Sequence, residues 1–95
     1  MGARVSNYAQ VWKFSVPVSD EFELEMPRHA EILFIAVQDD SPFIWARVVP
    51  GRHKETRKFK LRGTGHPIDT VSTHLGSFML RGGALVFHLF EAADL

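Results

Sequence analysis

The chain alternates. Trp12, Phe14, Val16 and Val18 share one parity while Lys13 and Ser15 take the other, the period-two pattern of a half-buried strand. Pro17 has no N–H to give a ladder, so this strand lies at a sheet edge or ends there. Asp20–Met26 repeats the pattern more cleanly, with Phe22, Leu24 and Met26 opposed to Glu21, Glu23 and Glu25. Its acidic side is expected to be a solvated edge face, where charge discourages pairing with other chains. Pro27 closes the strand.

His29–Gln38 is apolar on both parities, AEILFIAV at its centre. That predicts a central strand covered on both sides, although periodicity alone does not separate it from a buried helix of the same length. Asp39-Asp40-Ser41-Pro42 is turn chemistry, and Phe43–Val49 returns as the partner strand of a hairpin. Pro50-Gly51 suits the centre of a type II turn, since glycine accepts positive φ.

The most unusual stretch is Glu55–Ile68, ETRKFKLRGTGHPI. As a strand it places Thr56, Lys58, Lys60 and Arg62 on one face and Arg57, Phe59 and Leu61 on the other. Gly63-Thr64-Gly65 breaks it, and His66-Pro67 opens a turn or an extended connection, because a residue before proline avoids the α region. Ile68–Thr73 reads as loop. Leu75–Leu80 and Ala84–Phe90 are expected to pair across Arg81-Gly82-Gly83 in a tight type I′ hairpin. Six or seven short strands with regular turn signals predict an all-β fold, a small antiparallel sandwich or open barrel. The expected organisation is an N-terminal arm over residues 1–9, one β domain over 10–91 and a tail over 92–95.

Composition narrows function mainly by exclusion. At 95 residues the chain has room for one core. Eleven basic residues balance eleven acidic ones, so wholesale electrostatic binding to nucleic acid or membrane is not expected. The absence of cysteine removes disulfides, thiolate catalysis and cysteine-ligated zinc. No cofactor is expected.

Trp12-Lys13-Phe14, Met26-Pro27, Trp45-Ala46, Glu55–Phe59, Gly63-Thr64-Gly65-His66-Pro67-Ile68, Leu75–Phe78 and Gly83–Glu91 together form a pattern. It resembles a group of short proteins of unknown function from bacteriophages and prophages, across about residues 11–91. The resemblance implies phage origin and action in the cytoplasm of the infected bacterium, and it implies no activity.

Arg57, Lys58, Lys60, Arg62, Gly63, Thr64, Gly65 and His66 are the candidate binding residues. A cationic strand and a glycine-rich turn suit phosphates or an acidic protein. The bland alternatives are a strand exit in which glycine supplies positive φ, and pairing of the cations with the Glu21/Glu23/Glu25 strand if the two are neighbours. His66 is expected to be buried and hydrogen-bonded to backbone if the loop is only a turn. His66, His74 and His88 fit no zinc spacing, and His66 with Asp69 is the candidate pair for hydrolytic or metal-assisted chemistry; no Gly-x-Ser-x-Gly elbow supports a Ser-His-Asp triad. The expected function is therefore non-enzymatic: binding to a host or phage protein, or to a second copy of the chain, with nucleic acid or nucleotide as the alternative.

Overall fold

The computed structural model describes residues 8–93. Among them are seven strands: β1 (Gln10–Ser15), β2 (Glu21–Pro27), β3 (Glu31–Gln38), β4 (Ser41–Val48), β5 (Lys54–Gly63), β6 (Thr73–Leu80) and β7 (Leu85–Glu91). They form two antiparallel sheets, ordered β1-β4-β3 and β2-β5-β7-β6. The expected all-β class is observed.

The core lies between the sheets. Ile44, Ala46 and Val48 of β4 face Phe59 and Leu61 of β5, Phe78 and Leu80 of β6 and Leu89 of β7, all buried. Period-two alternation accounts for this, since each of these strands turns every second side chain inward. Phe59 stacks on Phe22 with ring centres 5.2 Å apart. Val16 is buried as expected, but Val18 is 57% exposed. Strand β1 ends at Ser15, so the parity that would have carried Val18 inward stops before it.

Strand β3 is not the covered central strand that its apolar run predicted. It is an edge, and β4 is the centre of its sheet. A register shift between Ile32 and Phe34 lets Leu33 absorb one extra residue, which switches the parity that faces the core. Ile32, Ile35 and Val37 pack against the core, while Leu33 and Phe34 stay 46% and 58% exposed. An apolar run on both parities therefore encoded a bulge and an exposed apolar face.

The turns follow residue chemistry with one exception. The β3–β4 connection is Asp39-Asp40, both at positive φ (49° and 59°), the conformation that matches hairpin twist. Gly51 takes φ 91° after Pro50. The β6–β7 link is not a two-residue type I′ turn. Leu80 pairs with Leu85, leaving a four-residue connection in which Arg81, Gly82 and Gly83 all hold positive φ. Asp40 Oδ1 accepts the Arg81 N–H at 2.7 Å, so the two hairpin tips support each other.

The sheets approach most closely at β3 and β6. A Cβ at Gly76 would stand 3.1 Å from Ile35 Cδ1, so glycine is what admits the neighbouring side chain. The opposite edges, β1 and β2, are the other two sheet margins.

Candidate functional site

Three parts of the surface carry chemistry. The first is the basic strand. Strand β5 is paired with β2, and the register sets Glu21 opposite Lys60 and Glu23 opposite Lys58. The acidic and basic rows are thus direct neighbours on one sheet face. Lys60 Nζ bonds Asp69 Oδ2 at 2.6 Å. Arg62 donates from Nε to the Pro67 carbonyl at 2.9 Å and from Nη1 to the Asp20 carbonyl at 2.6 Å, holding the loop after β5 against the sheet.

Arg57, on the inward parity, meets Glu91 through two 2.7 Å bonds and reaches the Ala30 carbonyl at 2.6 Å. The hydrogen bonds to Glu91 hold the Arg57 pKa above its ordinary value, against the opposing effect of burial. Lys58 is exposed. Arg57 and Lys58 also line an open hollow of about 410 Å³ with Glu55, Thr56, Glu91, Ala92 and Ala93. Ala92 is tied down, its N–H bonding the Lys58 carbonyl at 2.9 Å.

The second part is the turn Gly63-Thr64-Gly65-His66. The His66 N–H bonds the Gly63 carbonyl at 3.1 Å, Gly65 takes φ 90°, and the His66 ring lies over Gly63, where a Cβ would come within 3.2 Å of it. The imidazole is exposed, contrary to the expectation that a merely structural His66 would be buried. Glycine at 63 is what lets the ring fold back over the turn. Asp69 is occupied elsewhere. Besides Lys60 it accepts the Val71 and Ser72 N–H groups and the Ser72 hydroxyl. The Lys60 bond first, then these, hold its carboxyl well below the usual range.

Beside the turn, Thr64 Oγ1 lies 2.8 Å from His88 Nε2. Ser77 Oγ lies 2.7 Å from His88 Nδ1 and 3.1 Å from His74 Nε2. Strand pairing makes this chain, since Arg62, His88 and Ser77 stand side by side in the register of β5, β7 and β6. It joins two of the three histidines singled out from the sequence, with a hydroxyl rather than a carboxylate at its far end. Among the described residues no group of three or more His, Asp or Glu is placed to hold a metal ion.

The third part was missed by sequence reading. The outer face of the three-stranded sheet carries Phe34 from β3, Phe43 and Trp45 from β4, and Val11 and Lys13 from β1. Ring centres of Phe34 and Phe43 lie 5.4 and 5.9 Å from that of Trp45. Lys13 Nζ stands 4.2 Å from the Phe43 ring centre, a cation–π contact, and bonds Gln38 Oε1 at 2.8 Å. Arg47 pairs with Glu31 at the margin. Phe34 and Val11 are each 58% exposed. The available signal was the outward parity of Phe43, Trp45 and Lys13; the reading of β3 as covered on both sides hid it.

The chain matches the profile of a domain of unknown function, DUF7352, over residues 7–95. It belongs to that family. No curated protein and no solved structure matches it. The family assignment agrees with the resemblance to an uncharacterised group drawn from the sequence motifs, and it carries no activity for this DUF7352 member. Among the described residues no helix is long and apolar enough to cross a membrane.

Proposed function

We propose that this DUF7352 protein is a non-enzymatic binding module whose partner, a protein of a phage or of its bacterial host, docks on the outer face of the three-stranded sheet. The supporting observation is the Phe34–Phe43–Trp45 cluster with Lys13 at its side. An aromatic cluster on a sheet face, next to cations, has the residue make-up of a protein interface core. Aromatic anchors of this kind supply most of the binding energy when they enter a partner's pockets. The phage or host origin of the partner rests on the motif resemblance described above.

Nucleic-acid or nucleotide binding through the basic strand is the weaker reading. Arg57, Lys60 and Arg62 spend their hydrogen bonds inside the chain, and three glutamates lie on the adjacent strand. Lys58, Thr64, Gly65 and His66 remain as the exposed members of the candidate set.

The test is affinity capture from phage-infected bacteria with the wild-type chain and Phe34→Ser as parallel baits. One specific protein recovered by the wild type and missing from Phe34→Ser supports the reading. Equal recovery by both baits removes this face from the account.

A further inference from the structure

We infer that the partner is recognised through an extended segment that adds a strand to the edge of β1, which has no neighbouring strand on that side among the described residues, beside the aromatic face. This rests on the docking reading above and states how the partner is held.

The backbone of β1 has a defined direction. The Val16 N–H bonds the Pro42 carbonyl at 3.1 Å, continuing the β1–β4 register in which Ser15 faces Phe43. Antiparallel ladders alternate between residues that bond the neighbour and residues that do not. Phe14, Trp12 and Gln10 therefore turn their backbone groups toward β4. Val11, Lys13 and Ser15 turn theirs away from the sheet.

The remaining sheet margins are guarded. Strand β2 carries Glu21, Glu23 and Glu25 and ends in Pro27. Strands β3 and β6 lie against each other, with Ile35 over Gly76. Strand β1 has one charge, Lys13, and no proline within Gln10–Ser15. Edges are ordinarily blunted by charge, proline or cover, and an edge without these devices is the template used in strand addition.

The outer face is also small. Three strands about 4.8 Å apart, of six to eight residues rising about 3.3 Å each, present a face of roughly 300–400 Å². That is about half or less of the ~800 Å² each side of a standard interface contributes. Backbone pairing along β1 supplies the contact the face alone lacks.

Side-chain chemistry then describes the segment. On the inner side it lies next to Trp12 and Phe14, both only half buried, so it presents apolar residues at alternate positions. On the outer side it lies next to Lys13, so an acidic residue stands opposite that ammonium. A second copy of β1 satisfies this poorly, because the strand holds no acidic residue to set opposite Lys13, and pairing centred on Lys13 brings it opposite its own copy, where like charges destabilise a ladder.

The test is selection of binders from a displayed library of random decapeptides on the purified protein. The expected result is a set of alternating apolar sequences with one acidic position. Val11→Pro removes an outward N–H without touching the β1–β4 ladder, and should weaken these peptides at least tenfold relative to Val11→Ala, which trims the same side chain but keeps the N–H, while the circular dichroism is unchanged. Lys13→Glu leaves the backbone intact, and selection on it should replace the acidic position by a basic one.

Peptides that bind Val11→Pro as well as wild type but lose Phe34→Ser would overturn strand addition and leave the docking face standing. Peptides insensitive to both variants would overturn both readings. Failure to select any alternating sequence would overturn strand addition. So would a concentration-dependent dimer abolished by Val11→Pro, which would make the added strand the chain's own.

Discussion

Arg57 and Glu91 form a two-pronged contact, Nε and Nη2 each 2.7 Å from a carboxylate oxygen, and the third nitrogen of the same guanidinium bonds the Ala30 carbonyl at 2.6 Å. Glu91 ends β7 in one sheet, and Ala30 immediately precedes β3 in the other. One side chain therefore joins the two sheets at a rim of the core, with 17% and 24% of the paired side chains exposed.

Arg57→Ala leaves Glu91 and the Ala30 carbonyl without this partner in a partly buried place. The expected loss is about 2–3 kcal/mol of stability in urea unfolding, the usual cost of deleting one partner of a charged hydrogen bond. Arg57→Lys keeps the charge but cannot reproduce the planar fork, and should recover less than half of that loss.

Asp69 gives a pH-dependent prediction. Its folded-state pKa is depressed, chiefly by the Lys60 hydrogen bond, so the stability it contributes is present above the unfolded carboxyl value near ~3.9 and lost as pH falls through the lower folded value. Wild type should exceed Asp69→Asn in stability by a constant margin from about pH 5 to 8. That margin should shrink below about pH 4. A margin that instead grew in acid would contradict the role given to this carboxylate.

The close approach of β6 to β3 yields a coupling. Gly76→Val forces side-chain atoms against Ile35 and should cost roughly 1–3 kcal/mol, as overpacking does. Ile35→Ala in the same chain should return part of that loss. Additive losses in the double variant would show that the two residues do not meet.

His66→Ala should leave stability within about 0.5 kcal/mol, as exposed substitutions usually do. Thermal unfolding of both chains decides it.

The all-β class was legible because alternation is a local property. Phe59 and Leu61 against Lys58 and Lys60, or Phe22 and Leu24 against the glutamates, state which face is inward without reference to any neighbour. Strand order is not local. Nothing in ILFIAV distinguishes a strand covered on both faces from an edge strand with a bulge at Leu33, and the aromatic face was hidden by that ambiguity. The cation row was visible, but its meaning depended on which strand lay beside it. Register with Glu21 and Glu23 and the hydrogen bonds of Arg57, Lys60 and Arg62 turned most of a presumed binding surface into internal bonding. The fold of the β6–β7 connection escaped for a related reason: Gly82-Gly83 announces positive φ without saying that Arg81 shares it.

The most direct measurement is a titration of the purified partner, once captured, with three chains: wild type, Phe34→Ser and Met79→Ser. Phe34 stands on the outer face of the three-stranded sheet, and Met79, 61% exposed, stands on the opposite sheet. The expected result is a Kd at least about tenfold weaker for Phe34→Ser, or roughly 1.4 kcal/mol, with Met79→Ser equal to wild type. A Phe34→Ser chain that binds as tightly as wild type, or a loss confined to Met79→Ser, would contradict a docking surface on the aromatic face.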